Sequence, residues 1–222
     1  MRNRKLSKEE IIQTFEERAK KLQEKSDDEP GFLKKKIREK LLLKQQREEL
    51  IAQAEGKVLE VAVGRGYNFQ FYNQDTEITA VDFSPTLLGM AQQNAEQQGL
   101  NTKFIEADME KLDYSTDSFD TIISTMTLCA YEKPVQVLNN FNKWCRSDGQ
   151  ILLLEHGLSS NKIIGWLING MLNLLNDWAL EKMGDNINRN ILDIIRRSDI
   201  VVNNLETYYL GTHYLVEGKT EQ

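Results

Sequence analysis

Cysteine, proline and histidine are scarce in this chain. Cys129 and Cys145 are the only cysteines in 222 residues. They fall in no metal-ligand spacing and sit in apolar surroundings, so a disulfide scaffold and a zinc module are excluded and buried, reduced thiols are expected. The three prolines each mark a boundary: Pro30 in a break, Pro85 and Pro134 at helix starts. No apolar run approaches the roughly eighteen residues of a membrane span. Met1–Glu10 is charged and lacks the apolar stretch of a signal peptide, so a cytoplasmic location is expected. Internal repeats and low-complexity segments are absent. The net charge of −6 is unevenly spread, with 16 Lys and Arg against 12 Asp and Glu in residues 1–57 and 12 against 22 thereafter. An acidic body repels phosphates, so nucleic acid is not expected as a partner. The basic start reads as a solvated helix face.

The most informative stretch is Val58–Tyr72. Val58, Leu59, Val61 and Val63 form an almost unbroken apolar run that ends at Gly64 and Gly66, as a parallel strand buried on both faces does. The glycines allow a sharp turn and a close approach to a ligand. Glu60 lies inside the run, where a carboxylate requires a partner from the protein or a ligand. A dinucleotide fingerprint needs a third glycine, and Phe69 stands in that place; a P-loop needs a Gly-Lys-Ser/Thr ending that is not there.

Further along, Ile78–Asp82 reads as a second strand whose tip carries Asp82, 22 residues after Glu60. An acid there accepts ribose hydroxyls in nucleotide-binding α/β folds. Ser84 and Pro85 start a helix that Gly99 stops. Thr102–Ala107 delivers Asp108 to the same sheet edge. Ser118–Thr125 gives a fourth strand, a helix spans Pro134–Cys145, and Gln150–Glu155 is a fifth strand after a turn at residues 146–149. Each aspartate alone would be an ordinary turn or cap residue, but both stand at ends of successive strands in register with Glu60. At the N-terminus, Ser7 and Glu10 form a capping-box pattern for a helix toward Lys25, and a second helix is expected over Phe32–Ala54. Ile200–Leu210 and Thr212–Glu217 read as a closing hairpin.

Glu60-x-Ala62-x-Gly64-x-Gly66 resembles motif I of the class I S-adenosylmethionine-dependent methyltransferases, with Ala62 in place of the first glycine. That substitution is expected to be accepted because the loop keeps negative φ at Ala62. Ser118–Cys129 is similar to motif IV of the type 11 methyltransferase-domain enzymes. The continuation Asn68–Tyr72, Thr127-Leu128-Cys129 and Leu153–Gly157 resemble the branch holding thiol S-methyltransferases and phosphatidylethanolamine N-methyltransferases. The resemblance covers roughly residues 55–218. It implies an α/β, Rossmann-like sheet of seven mostly parallel strands with an antiparallel last strand and helices on both faces. A helical extension over 1–55, serving as a lid or as packing, precedes a methyltransferase domain over 56–222. S-adenosyl-L-methionine is the implied cofactor, with Glu60 and the loop holding its methionine end and the ammonium partnering Glu60. The implied contact set is Glu60, Ala62, Gly64, Gly66, Asn68, Asp82, Phe83, Asp108, Met109 and Thr125, with Asp108 meeting the adenine amine and Met109 packing on the ring.

In-line displacement at a sulfonium needs positioning more than acid catalysis, so the lack of a catalytic triad is no objection. His156 is the candidate base; its plainer reading is a turn histidine bonded to backbone. Residues 161–184 form an insertion with twelve large apolar residues and an Asn169, Asn173, Asn176, Asp177 polar stripe. It reads as an amphipathic helix docked on the domain, and functionally as an apolar cap over the acceptor with peripheral membrane contact. The expected acceptor is a small apolar molecule: a thiol, a lipid amine or a quinone-like ring. The alternative is an interaction module that binds the cofactor without catalysis.

Overall fold

The computed structural model describes residues 6–24 and 43–221. Seven strands form one sheet: β1 (Lys57–Val61), β2 (Glu77–Asp82), β3 (Thr102–Glu106), β4 (Phe119–Thr125), β5 (Cys145–His156), β6 (Ile200–Tyr208) and β7 (His213–Thr220), in the order β3-β2-β1-β4-β5-β7-β6. The first five pair in parallel, whereas β7 is antiparallel to both β5 and β6. The order reverses between β1 and β4. In an open α/β sheet, ligands bind outside the carboxyl ends of the strands at such a switch point.

Alternating side chains of the buried strands feed two cores. Leu59, Val61 and Ile122 pack on one face with α4 (Pro134–Trp144) and α6 (Ile191–Arg196). Val58, Ile78, Ile123 and Leu152 pack on the other with α2 (Lys44–Ile51) and α3 (Pro85–Gln98). Both thiols are free and buried. Helix signals in the sequence operate as expected. Ser7 Oγ accepts from the Glu10 N–H at 3.2 Å and the Glu10 carboxylate from the Ser7 N–H at 2.8 Å, a reciprocal cap for α1 (Lys8–Glu24). Ser84 Oγ accepts from the Leu87 N–H, and Gly99 closes α3 at φ 66.

Two boundaries differ from expectation. β5 begins at Cys145, which pairs with Phe119; the turn at 146–149 is an irregularity within the strand before Gln150 pairs with Thr121. Only the last part of the helix expected over Phe32–Ala54 falls among the described residues, and it ends at Ile51, with the Ala52 and Ala54 N–H groups closing the turn. The insertion forms α5 (Gly165–Met183), ended by Gly184 at φ 77.

Candidate functional site: a cavity at the carboxyl edge of the sheet

A cavity of about 200 Å³ lies over the ends of β1–β4. Its floor is Ala62 and Gly64 after β1, Asp82 and Phe83 after β2, Asp108 and Met109 after β3, and Met126 and Thr127 after β4. Lys8, Ile11 and Phe15 of α1 roof it, and Ala130 and Tyr131 close one side. The β1 loop is held by the strand beside it: Val63 N–H donates to Val81 C=O, and Gly64 N–H to Asp82 Oδ2 at 2.8 Å. The other Asp82 oxygen accepts from the Ser84 N–H at 2.9 Å. Burial raises the Asp82 carboxyl above its ordinary range, and these N–H donors oppose the rise. A Cβ on Gly64 (φ 58) would meet no atom within 4 Å, so open space adjoins its backbone. Gly66 faces the other way: a Cβ there would strike the Phe69 ring at 2.5 Å, and the residue borders a separate surface cavity.

Ala62 has φ 46. The expectation of negative φ is therefore corrected: the loop keeps the left-handed turn of a glycine motif and strains alanine into it, because the flanking backbone bonds to β2 fix the path.

Glu60 is fully buried behind this floor and finds its partners within the protein. Tyr72 OH donates to Oε2 at 2.7 Å and Asn68 Nδ2 to Oε1 at 2.9 Å. Asn68 Oδ1 accepts from the Arg47 guanidinium at 2.7 Å, which also donates to Thr125 Oγ1 at 2.9 Å. Burial lifts the Glu60 carboxyl to about 7; Tyr72, Asn68 and the Arg47 charge limit the rise. Glu60 thus has partners within the protein, Tyr72 and Asn68 directly and Arg47 through Asn68. In the sequence Arg47 is one arginine of a charge-rich helix, and nothing local marks it as buried.

A second buried carboxylate shapes the β4 turn. Glu155 accepts from the backbone N–H groups of Thr127 and Leu128 at 2.9 and 3.0 Å and from Ser124 Oγ at 2.8 Å, while burial raises its carboxyl to about 7. This nest fixes Met126 at φ 61 and turns Thr127 into the cavity. The sequence shows Glu155 as an acid ending an apolar strand, the same sign that drew attention to Glu60.

His156 lies beyond Glu155 at the end of β5, opposite His213 on β7 with ring centroids 6.1 Å apart, and does not line the cavity. Burial, and then His213, lower it to about 4, so the ring is neutral near pH 7. Of the expected contact set, Ala62, Gly64, Asp82, Phe83, Asp108 and Met109 meet on the cavity, whereas Glu60, Asn68 and Thr125 form the network beneath it.

α1 is fastened at three points. Lys8 Nζ lies 3.5 Å from Asp108 Oδ1 and also bonds Glu110. Glu16 accepts from the hydroxyls of Ser84 and Thr86, and Arg18 reaches Asp185 at 3.7 Å. Phe15 packs edge-on against Phe83, ring centroids 5.7 Å apart.

Residues 58–149 match the methyltransferase domain family. The chain is 29% identical over 103 residues to a phosphatidylethanolamine N-methyltransferase of Cereibacter sphaeroides, covering 46% of this chain and 51% of that protein. It is 33% identical over 102 residues to the thiol S-methyltransferase TMT1B of Mus musculus (45% and 42% covered), and 29% identical over 121 residues to a ubiquinone/menaquinone biosynthesis C-methyltransferase of Bdellovibrio bacteriovorus (53% and 52%). The chain thus spans about half the length of these curated relatives. Among solved structures, a protein of Pyrococcus horikoshii superposes with a TM-score of 0.62 at 17% identity, covering 84% of this chain and 91% of that one. An S-adenosylmethionine-dependent methyltransferase of Mesorhizobium loti gives 0.57 at 14% identity (79% and 96%). Residues 58–149 are thus similar to a methyltransferase domain, and they lie in a seven-stranded sheet of Rossmann-like architecture.

Proposed function

We propose that this methyltransferase-domain protein binds S-adenosylmethionine in the α1-roofed cavity and transfers its methyl group to a small apolar acceptor. The observation that carries the reading is the convergence of Gly64, Asp82 and Asp108 on one cavity beside open space at the Gly64 backbone. When bound, the cofactor supplies an electrophilic methyl group for in-line displacement. Asp82 retains lone pairs for two ribose hydroxyls after accepting from Gly64 and Ser84. Asp108 and Met109 suit an adenine amine and ring face. Arg47, Asn68 and Thr125 keep the buried Glu60 network rigid behind the methionine end, so the loop does not have to reorganise at the moment of reaction.

The side of the cavity formed by Ile11, Ala130 and Tyr131 is mostly apolar and adjoins an opening lined by Leu180 of α5 and Arg189. It suits an apolar acceptor, and the acids nearby disfavour a polyphosphate. The three relatives are, by name, a phosphatidylethanolamine N-methyltransferase, a thiol S-methyltransferase and a C-methyltransferase of ubiquinone/menaquinone biosynthesis. A thiol fits these residues best, because it ionises near neutral pH without a strong base. His156, neutral and depressed to about 4, is a weak base at best.

Calorimetry with S-adenosylmethionine tests the cofactor: micromolar binding is expected, and Asp82→Ala should lower affinity at least tenfold. Unchanged binding by Asp82→Ala, or a preference for NAD, overturns the assignment. A methylation screen of alkyl thiols, lipid amines and quinols tests the acceptor. His156→Ala is expected to retain thiol methylation within tenfold, against the 10²–10⁴ that loss of a true general base costs. Cofactor binding with no label transferred to any of these acceptors or to cell extract favours the non-catalytic binding module.

A further inference from the structure

α5 rests on the protein through the half-buried Ile168, Leu172 and Leu180 and through asparagines beside them. Asn169 Oδ1 accepts from the Ser159 N–H at 2.6 Å, and its amide donates to Ser159 C=O at 3.1 Å. Asn173 and Asn176 accept from the side-chain amide and the backbone N–H of Asn188. A second set of large apolar side chains points outward. Trp166, Leu167, Met171, Leu174, Leu175 and Trp178 are all exposed, Trp166 at 73% and Leu174 at 83%. Ile163, just before the helix, extends the stripe at 82% exposure. At that end the tip of the β6–β7 hairpin joins it: Ser159 Oγ donates to Leu210 C=O, Ser160 N–H donates to Gly211 C=O, and Leu210 is exposed. An exposed apolar face of this extent is costly in water and marks a contact surface.

We infer that this face docks on a lipid bilayer, with α5 lying in the plane of the interface. Residues 163–176 carry no charge, and the lysines come at the two ends, Lys162 before the stripe and Lys182 after it, where long side chains can reach headgroups. Trp166 and Trp178 stand near opposite ends of the helix on its outward side, the residue type that favours the boundary between headgroup and hydrocarbon. A protein partner would need hydrogen-bonding groups around the apolar patch. Here the asparagines of the helix are engaged in holding it to its own domain, and the exposed charged groups, Lys162 at one end and Asp177, Glu181 and Lys182 at the other, leave the middle of the stripe without a polar rim. Among the described residues no helix is long and apolar enough to cross a membrane, so α5 lies on the surface and does not span it. Asp177 and Glu181 at the far end make an anionic lipid unnecessary. The docking does not depend on methyl transfer, although Leu180 of the same helix borders the opening beside the cavity.

The test uses the full chain, without cofactor, and large unilamellar vesicles of phosphatidylcholine. Co-sedimentation is expected, together with a blue shift of tryptophan emission. Trp144 is fully buried and contributes a constant background, so the shift reports Trp166 and Trp178. The triple variant Trp166→Asn, Leu174→Asn, Trp178→Asn should partition at least tenfold more weakly, and the single Leu174→Glu change should weaken binding in the same direction at unchanged thermal unfolding. Absence of sedimentation overturns the proposal. So does equal binding by the variants, which would place the lipid contact elsewhere. A dimer in sedimentation velocity that the triple variant dissolves would put a second copy on this face and also overturn it.

Discussion

Two residues at the cavity hold backbone conformations that L-side chains resist. Ala62 at φ 46 and Met126 at φ 61 are each fixed by neighbours, the first by the Val63 and Gly64 bonds to β2, the second by the Glu155 nest. Ala62→Gly should therefore raise the free energy of unfolding in urea by about 1 kcal/mol, since glycine takes positive φ without the Cβ clash. No gain, or a loss, would show that the loop gives no strain back. Glu155→Ala should lower stability by about 3 kcal/mol or more, because it strands the buried N–H groups of Thr127 and Leu128. The same measurement checks it, and a loss under 1 kcal/mol would mean the turn finds other acceptors. Cys129 does not offer a reactive nucleophile: burial, with Asp185 beside it, drives the thiol well above its ordinary value.

At the scale of elements, α1 covers the cavity with Lys8, Ile11 and Phe15. The cavity of about 200 Å³ is smaller than the ~300–1,000 Å³ of small-molecule sites, so if α1 acts as a lid, an outward shift of this helix is the expected step on cofactor entry. Three of its contacts border the cavity. Lys8 holds Asp108, an acid expected to meet the ligand, while Phe15 covers Phe83 and Glu16 ties the helix to the start of α3. Phe15→Ala is expected to raise the S-adenosylmethionine Kd about tenfold, mainly through faster dissociation in stopped-flow measurements, because an apolar roof in contact with the ligand is lost. Lys8→Met should speed both binding and release, since the exchange of Lys8 for the ligand at Asp108 is removed. Unchanged rates in both variants would leave α1 a packing element only.

For the whole molecule, the buried acids set a pH dependence. Glu60 and Glu155 are each raised from 4.5 to about 7 in the folded state. The unfolded chain releases these protons near 4.5 while the native state keeps them to about 7, so their contribution to stability falls as pH rises across that window and is flat above it. Glu16 and Glu110 are lowered by their hydrogen bonds, so their contribution is present above 4.5 and is lost as pH falls below it. Glu60→Gln keeps an acceptor for Asn68 Nδ2 and turns its amide N–H toward Tyr72, whose hydroxyl can rotate to accept it, and it cannot ionise. Its urea midpoint is expected to gain on the wild type between pH 5 and 7.5. Parallel curves would mean that Glu60 is ionised throughout.

The order and type of the strands, the capped ends of α1 and α3, and the delivery of Asp82 and Asp108 to one edge are all local properties, written in apolar runs, caps and turn residues that act within a few positions. The chain by itself determined that an α/β sheet presents a glycine turn and acids at its carboxyl edge. Three features depended on partners distant in sequence. Glu60 is satisfied by Tyr72 and, through Asn68, by Arg47, whose burial arises only when α2 packs on the sheet. Ala62 takes positive φ because β2 fixes the loop, against the preference of its own side chain. α5 leaves its tryptophan-bearing stripe outward because the opposite face is held by packing of Ile168, Leu172 and Leu180 and by hydrogen bonds from its asparagines to Ser159 and Asn188. An amphipathic pattern specifies two faces, and only the tertiary contacts decide which one meets the protein.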